Sequence, residues 1–214
     1  MHTISPASPA DLPAVASVLA QAFAGDPVLA AVTGRPSPTA EALMRLFAPL
    51  LRSGAFPLGG VDVARRADGE VVGAAVWEPP GAAKHLMRQV LELPSFVGAL
   101  GLRGIRHALR TQGLLAQHRP AEKHWYLAQI GAIASARGTG VGSALIESRL
   151  ARIDAAGAPA YLEASNERNR RLYARKGFQA IAPITGIDGA RPTAMWRPGT
   201  SDSHRSVAAT NESS

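Results

Sequence analysis

Arg137-Gly138-Thr139-Gly140-Val141-Gly142 is the stretch on which the reading of this chain turns. Before it, Trp125-Tyr126-Leu127-Ala128-Gln129-Ile130-Gly131-Ala132-Ile133 is a run of aromatic and branched residues that reads as a buried strand. After it, Leu145, Ile146, Leu150 and Ile153 recur near one face of a helix. The glycines therefore stand where a strand turns into a helix. Alternating glycines let the backbone approach a ligand and aim successive N–H groups one way. Those orphan donors, with the positive end of the helix dipole, make an anion site suited to a pyrophosphate. A Walker loop would place Lys-Ser or Lys-Thr after its last glycine; Gly142 is followed by Ser143-Ala144, which excludes that cradle. A dinucleotide fingerprint G-x-G-x-x-G accommodates Gly138 and Gly140 but meets Ser143 at the third place. It keeps its claim through Glu163, which ends the next strand about 20 residues on, where an acidic residue would bind a ribose. A glycine-rich turn without a ligand is the third reading of the loop alone.

Residues 137–142 also fit the pattern R/Q-x-x-G-x-G/A. Further on, Asn166-Glu167-Arg168-Asn169-Arg170-Arg171-Leu172-Tyr173-Ala174-Arg175-Lys176-Gly177-Phe178 fits N-x-x-A-x-x-L-Y-x-x-x-G-F, with Asn169 where the pattern prefers alanine. In this order and at this separation the two motifs resemble those of the GNAT N-acetyltransferase superfamily. The segment from His118-Arg119-Pro120 through Phe178, including Tyr161-Leu162-Glu163-Ala164-Ser165, is most similar to the puromycin N-acetyltransferase-like branch. The likeness is close over that segment and only in outline over the first hundred residues.

The resemblance implies a single-domain α/β, GNAT-like fold: a mixed, centrally splayed sheet of about six or seven strands with helices on both faces. It implies acetyl-CoA as co-substrate, with its pyrophosphate held by the segment Arg137, Gly138, Thr139, Gly140, Val141, Gly142 and Ser143. The thioester carbonyl is expected at backbone N–H groups of Ile130, Gly131 and Ala132, where a bulge usually frees them. Tyr173 matches the tyrosine near the thioester sulfur and is the candidate general acid. Asn166 matches the asparagine that bonds the pantetheine amides. The partner is an amine acceptor, a small molecule first and a peptide or protein amine second, in a pocket built by the first helices and their connecting loop.

Each of these residues also has a plain structural role open to it. Gly131 fits a bulge or a close approach to the next strand. Tyr173 fits a general acid or a core aromatic beside Leu172 and Phe178. Asn166 fits a pantetheine contact, a helix cap, or both. Asp26 fits an amine contact or the turn that ends a helix at Gly25-Asp26-Pro27. No general base announces itself: Glu163, at its strand end beside the splayed cleft, is the first choice, and Glu78, His118, Glu122 and His124 follow. The chain also departs from its relatives. Where they commonly read V-x-P-x-x-Q-G, it has Ala132-Ile133-Ala134-Ser135-Ala136-Arg137-Gly138, which retains the amides and leaves the cofactor affinity open.

The 214 residues, 46% hydrophobic and 18% charged, suit one globular domain over residues 1–198. From 199 to 214 Ser, Thr, Asp, His and Glu dominate without an apolar period, and that tail is expected to be disordered. With no cysteine there is no disulfide, thiolate chemistry or cysteine metal site, and no metal is expected. No apolar run approaches the roughly 20 residues of a membrane span and no signal-peptide pattern opens the chain, so cytoplasm is the default and no membrane partner is expected. A monomer and a homodimer both remain open. The net charge of +7 is spread over separate arginine groups, Arg103, Arg106 and Arg110 at helical spacing and Arg168 to Lys176 beside the second motif. The second group is explained by coenzyme A phosphates, and no nucleic acid is expected. Two other functions stay in view: an NAD(P)-dependent enzyme on a dinucleotide-binding fold, and a non-catalytic module that binds acyl-CoA or nucleic acid.

The remaining elements follow from pattern. Thr3-Ile4 suggests a first strand. Ser8 opens a helix striped by Leu12, Val15, Val18, Leu19 and Phe23, and Ser37-Pro38 opens another striped by Ala42, Leu43, Leu46, Phe47 and Leu50. Residues 61–65 and 71–77 flank Asp68-Gly69 as a hairpin. Ala83 to about Gln117 reads as two helices with a break near Pro94-Ser95. The strand at Ala160–Ala164 should lie parallel to the one at 125–133, because a helix connects them. Strands after Phe178 and at Thr193–Trp196 complete the sheet.

Overall fold

The computed structural model describes residues 2–81 and 90–200. Seven strands form one sheet: β1 (Thr3–Pro6), β2 (Val61–Arg65), β3 (Val71–Glu78), β4 (Trp125–Ala132), β5 (Ala160–Ala164), β6 (Gln179–Pro183) and β7 (Thr193–Arg197). Their spatial order is β1-β2-β3-β4-β5-β7-β6. Every neighbouring pair is antiparallel except β4 and β5, which are parallel. A doubly wound dinucleotide-binding sheet is mostly parallel; this one is not, and that alternative fails on topology.

Among the described residues six α-helices are complete and cover the sheet: α1 (Leu12–Ala22), α2 (Pro27–Thr33), α3 (Ala40–Ser53), α4 (Leu93–Ala116), α5 (Val141–Ala155) and α6 (Glu167–Ala174). The alternation of side chains along each strand splits the core in two. On one face Ala75, Trp77, Leu127 and Leu162 pack under α5 and α6, against Leu145, Ile146, Leu150 and Tyr173. On the other, Val63, Ala74 and Val76 meet Val15, Leu19, Leu43 and Phe47 of α1 and α3. Leu115 of α4 joins Tyr126 and Tyr161 at the far end of that face.

One local reading changes and another is extended. Gly25-Asp26-Pro27 ends α1 but also starts α2, which the sequence pattern did not suggest. Asp26 is its cap, with Oδ1 accepting from the N–H groups of Val28 and Leu29 at 2.9 and 3.0 Å, and Pro27 occupies the first turn. The same residues that stop one helix nucleate the next. The break expected near Pro94-Ser95 is present: residues 90–91 are helical, Glu92 is a turn and the N-cap of α4, and Pro94 lies in the first turn of α4, where a missing N–H costs nothing. A second interruption, which the sequence pattern did not suggest, falls inside α4 at Gly101, with φ +66°. Most of the helix expected before Pro94 lies outside the described residues, as do positions 201–214 of the expected tail. Gly199 and Thr200 still lie against the chain after α5, Thr200 Oγ1 donating to the Asp154 carbonyl at 3.5 Å.

One buried ion pair ties α5 to the sheet. Arg149 Nε donates to Asp62 Oδ2 at 2.7 Å, and its Nη2 donates to the Gly59 carbonyl at 3.0 Å. Both residues are almost fully buried. Arg149→Met leaves the Asp62 carboxylate without its cation and should cost about 3–5 kcal/mol in urea unfolding. Pairing it with Asp62→Leu removes the stranded charge and should recover more than half of that loss. A single variant within 1 kcal/mol of the parent, a value set by the range for weakly contributing pairs, would show that the pair is not holding α5.

Candidate active site

Strands β4 and β5 are in register for three residue pairs, Trp125 with Ala160, Tyr126 with Tyr161 and Leu127 with Leu162. Past Leu127 and Leu162 they part. The β5-facing edge of β4 from Ala128 to Ala132 therefore has no strand partner among the described residues, while its other edge stays paired with β3. A bulge sharpens the parting: Val76 pairs with Gln129 and Trp77 with Leu127, so Ala128 is the extra residue. It lies two residues before the segment Ile130–Ala132 where a bulge was expected. Gly131 answers to a different constraint, close packing on a helix rather than on a strand. A Cβ there would stand 2.4 Å from Ala22 Cβ of α1.

A cleft of about 580 Å³ runs through this opening. At one end lie Arg137, Gly138, Gly140, Val141, Gly142 and Ser143, the turn into α5. Gly138 and Gly140 hold φ of +80° and +87°, which L side chains rarely adopt, and the Thr139 N–H between them donates back to the Ala136 carbonyl at 3.4 Å. Gly140 is the N-cap of α5, so the first N–H groups of that helix open toward the cleft. Thr139 does not line it; its hydroxyl donates to the Ala136 carbonyl at 2.8 Å and meets His2 Nε2 at 3.2 Å. The segment lacking the usual proline, Ala134–Ala136, closes as a short 3₁₀ turn that presents Arg137 in extended conformation.

The middle of the cleft is bounded by Ala128 to Ala132 on one side and by Ser165, Asn166, Asn169, Leu172 and Tyr173 on the other. Asn166 caps α6, its side-chain Oδ1 accepting from the Asn169 N–H at 2.9 Å, and its Nδ2 donates to Ser165 Oγ at 3.4 Å. Tyr173 is 5% exposed and packs edge-on to Phe178, so it belongs to the core and lines the cleft at once. Burial pushes its phenol above the ordinary range, and the charge of Asp26 across the cleft adds to that. Of the basic cluster beside the second motif, Arg168 and Arg175 face the cleft, whereas Arg170 and Arg171 pair with Glu167 and Lys176 pairs with Glu147.

At the other end Glu163 reaches the cleft from β5. Its side chain is 7% exposed, with Arg119 Nε 3.5 Å away. The Arg119 guanidinium in turn stacks 3.8 Å over the Tyr126 ring. Burial raises the Glu163 carboxyl above its usual value, opposed by Arg119 and by the Tyr126 and Tyr161 hydroxyls. Glu78 is raised as well, by burial first, with Arg119 opposing and Glu163 reinforcing. Arg119 thus pairs with Glu163 and acts through space on the half-buried Glu78, a grouping that the sequence reading reached only as separate candidates. Of the others, His118 closes α4 with Nδ1 3.0 Å from the Leu114 carbonyl, and His124 packs against Tyr161 and Trp196. Neither these two nor Glu122 lines the cleft. The outer wall at this end comes from α1 to α4, through Phe23, Asp26, Leu29, Phe47, Gln112 and Leu115. Gln112 and Leu115 carried no motif, and only the path of α4 brings them here.

The acetyltransferase (GNAT) family profile matches residues 50–178. A Corynebacterium glutamicum structure, "histone acetyltransferase HPA2 and related acetyltransferase", is 34% identical, with a TM-score of 0.74 over 92% of this chain and 96% of that one. The Drosophila melanogaster polyamine N acetyltransferase shares the fold at 18% identity and TM-score 0.59, over 92% of this chain and 98% of that chain. Arylalkylamine N-acetyltransferase 2 of Aedes aegypti does so at 19% and 0.61, over 92% and 98%. With the profile covering more than half of its length and one relative a third identical along nearly all of it, the chain belongs to the GNAT acetyltransferase family.

Proposed function

We propose that this protein is an acetyl-CoA-dependent N-acetyltransferase whose acceptor is the amine of a small molecule. A peptide or protein amine is the second reading. The observation that carries the proposal is the continuity of one cleft: a backbone anion site, parted strands, and a helix-walled pocket with carboxylates at its far end. The family uses acetyl-CoA as co-substrate. The amides around Gly138 to Ser143 suit its pyrophosphate, and Arg168 and Arg175 add positive charge alongside. The parted β4–β5 edge suits the pantetheine arm, because an extended amide chain meets unpaired strand N–H and C=O groups there. The puromycin N-acetyltransferase-like branch is the finer affiliation we propose, supported by His118-Arg119-Pro120 and Tyr161 to Ser165.

The chemistry follows from these neighbours. The amine lone pair attacks the thioester carbonyl carbon; the C–N bond forms and the C–S bond breaks. N–H groups on the free edge of β4 stabilise the oxyanion that develops. Glu163, whose burial keeps its affinity for protons high, takes the proton lost by the amine. Tyr173, protonated at neutral pH, returns a proton to the departing thiolate. Isothermal titration with acetyl-CoA, NAD and a short duplex tests the proposal, and binding of acetyl-CoA alone is the expected result. Tight NAD binding without acetyl-CoA binding would overturn it.

Gly140→Asp puts a Cβ at φ +87° and a negative charge at the anion site. It should abolish acetyl-CoA binding in the same titration while costing the fold about 1–2 kcal/mol. Tyr173→Phe should lower kcat by about 10²- to 10⁴-fold, with KM and melting temperature changed little. A stable Phe variant with parental kcat would leave solvent as the proton source. The carboxyl pair gives a pH test. Because the folded protein raises the Glu78 pKa, the stability tied to its proton is full below the ordinary carboxylate range and is lost as pH rises through the raised value. Glu78→Gln should therefore melt with the parent at pH 4 and above it at pH 8. A variant that melts below the parent at pH 8 would mean that the ionised pairing with Arg119 outweighs burial.

A further inference from the structure

The acceptor end of the cleft has an uneven chemistry. Of the described residues that α1 to α4 and the α1–α2 turn contribute to its wall, all are apolar except Asp26 and Gln112. Phe23, Leu29, Val32, Phe47, Leu50 and Leu115 are among the apolar residues that line it. Asp26 is held rigidly: Oδ1 is committed to the N–H groups of Val28 and Leu29, so the carboxyl cannot swing away. Its second oxygen makes no hydrogen bond to a described residue, and Asp26 lines the cleft. The cations nearby are otherwise engaged, Arg119 with Glu163, or belong to the anion end of the cleft, as Arg137, Arg168 and Arg175 do. The negative charge of Asp26 is felt at Tyr173, on the facing wall.

We infer that the acceptor is a monoamine with an apolar, aryl or alkyl, body: Asp26 docks its ammonium through the free carboxylate oxygen, and the α1–α4 wall takes its body. The inference rests on the acetyltransferase function proposed above and narrows its substrate. A single ammonium beside Asp26 gains a charge-assisted hydrogen bond. A second or third ammonium, as on a polyamine or aminoglycoside, would lie against Val, Leu and Phe side chains of that wall, because the other carboxylate lining this end of the cleft, Glu163, is already paired with Arg119. A lysine in a peptide brings backbone amides that the same wall cannot satisfy. Docking holds the amine as a cation; one proton leaves through Glu163 to solvent before the lone pair attacks, and the second, lost as the amide forms, is taken by the carboxylate so regenerated and balances the proton that Tyr173 gives to the thiolate.

The test is steady-state turnover, read as thiol release from acetyl-CoA, with 2-phenylethylamine, tryptamine, spermidine, kanamycin and a lysine-containing peptide. The two monoamines should show kcat/KM at least tenfold above the others. Asp26→Asn keeps the side-chain oxygen that caps α2, so α2 is retained; it should raise the monoamine KM by about 10- to 100-fold with kcat and the acetyl-CoA KM near parental. Unchanged monoamine KM in the variant, preference for a polycation or peptide, or acetyl-CoA binding without turnover of any monoamine would overturn the inference and leave the acetyltransferase reading standing. A fall in kcat with parental KM would also overturn it, by assigning Asp26 to proton transfer. Failure to bind acetyl-CoA in calorimetry would instead overturn the underlying function, and the inference with it.

Discussion

The rest of the site depends on one constraint, that a buried backbone must find partners for its N–H and C=O groups. β4 and β5 meet this requirement for three residue pairs and then abandon it. From Ala128 onward one edge of β4 is left for something else to satisfy, and α6 and α1–α4 stand back on either side to form a cleft rather than close it. The Ala128 bulge and the close approach of Gly131 to Ala22 let β4 stay paired with β3 while this happens. The buried Arg149–Asp62 pair fixes α5 on β2, and so fixes the angle at which the glycine turn presents its amides.

Charge is distributed along the cleft by direction. Positive groups gather at the turn into α5 and on α6; carboxylates gather at the acceptor end, where Asp26 and Glu163 meet it and Glu78 lies behind. An anionic donor and a cationic acceptor would each find the favourable end from opposite sides of the sheet. Arg119 prevents the carboxylate end from becoming a simple acid patch. It neutralises part of the Glu78–Glu163 charge and, stacked on Tyr126, is held in place by an aromatic contact as well as by charge.

The half of the molecule after Trp125 was legible because its elements are local. Glycine alternation, a strand on one side and an apolar helical stripe on the other were enough to identify the β4 turn and α5, and Asn166 as a cap could be read directly. The hairpin at Asp68-Gly69 was equally local. What escaped depended on contacts between distant segments. α2 was hidden because Gly25-Asp26-Pro27 is chemically the same signal for stopping and for starting a helix. The bulge fell at Ala128 rather than near Gly131 because the position of a bulge is set by register with β3, and Gly131 is used for packing on α1. Gln112, Leu115 and the Glu78–Arg119–Glu163 grouping come from three parts of the chain and have no spacing of their own to betray them.

The central claim is that the unpaired edge of β4 and the amides at the start of α5 bind one ligand together. Hydrogen exchange with and without saturating acetyl-CoA measures this most directly, because both sites consist of backbone N–H groups. Exchange should slow at Ala128–Ala132 and at Gly138–Ser143 in the same experiment, with β1, β2 and the outer face of α4 unaffected. Protection at the glycine turn alone, or at neither segment, would contradict the account.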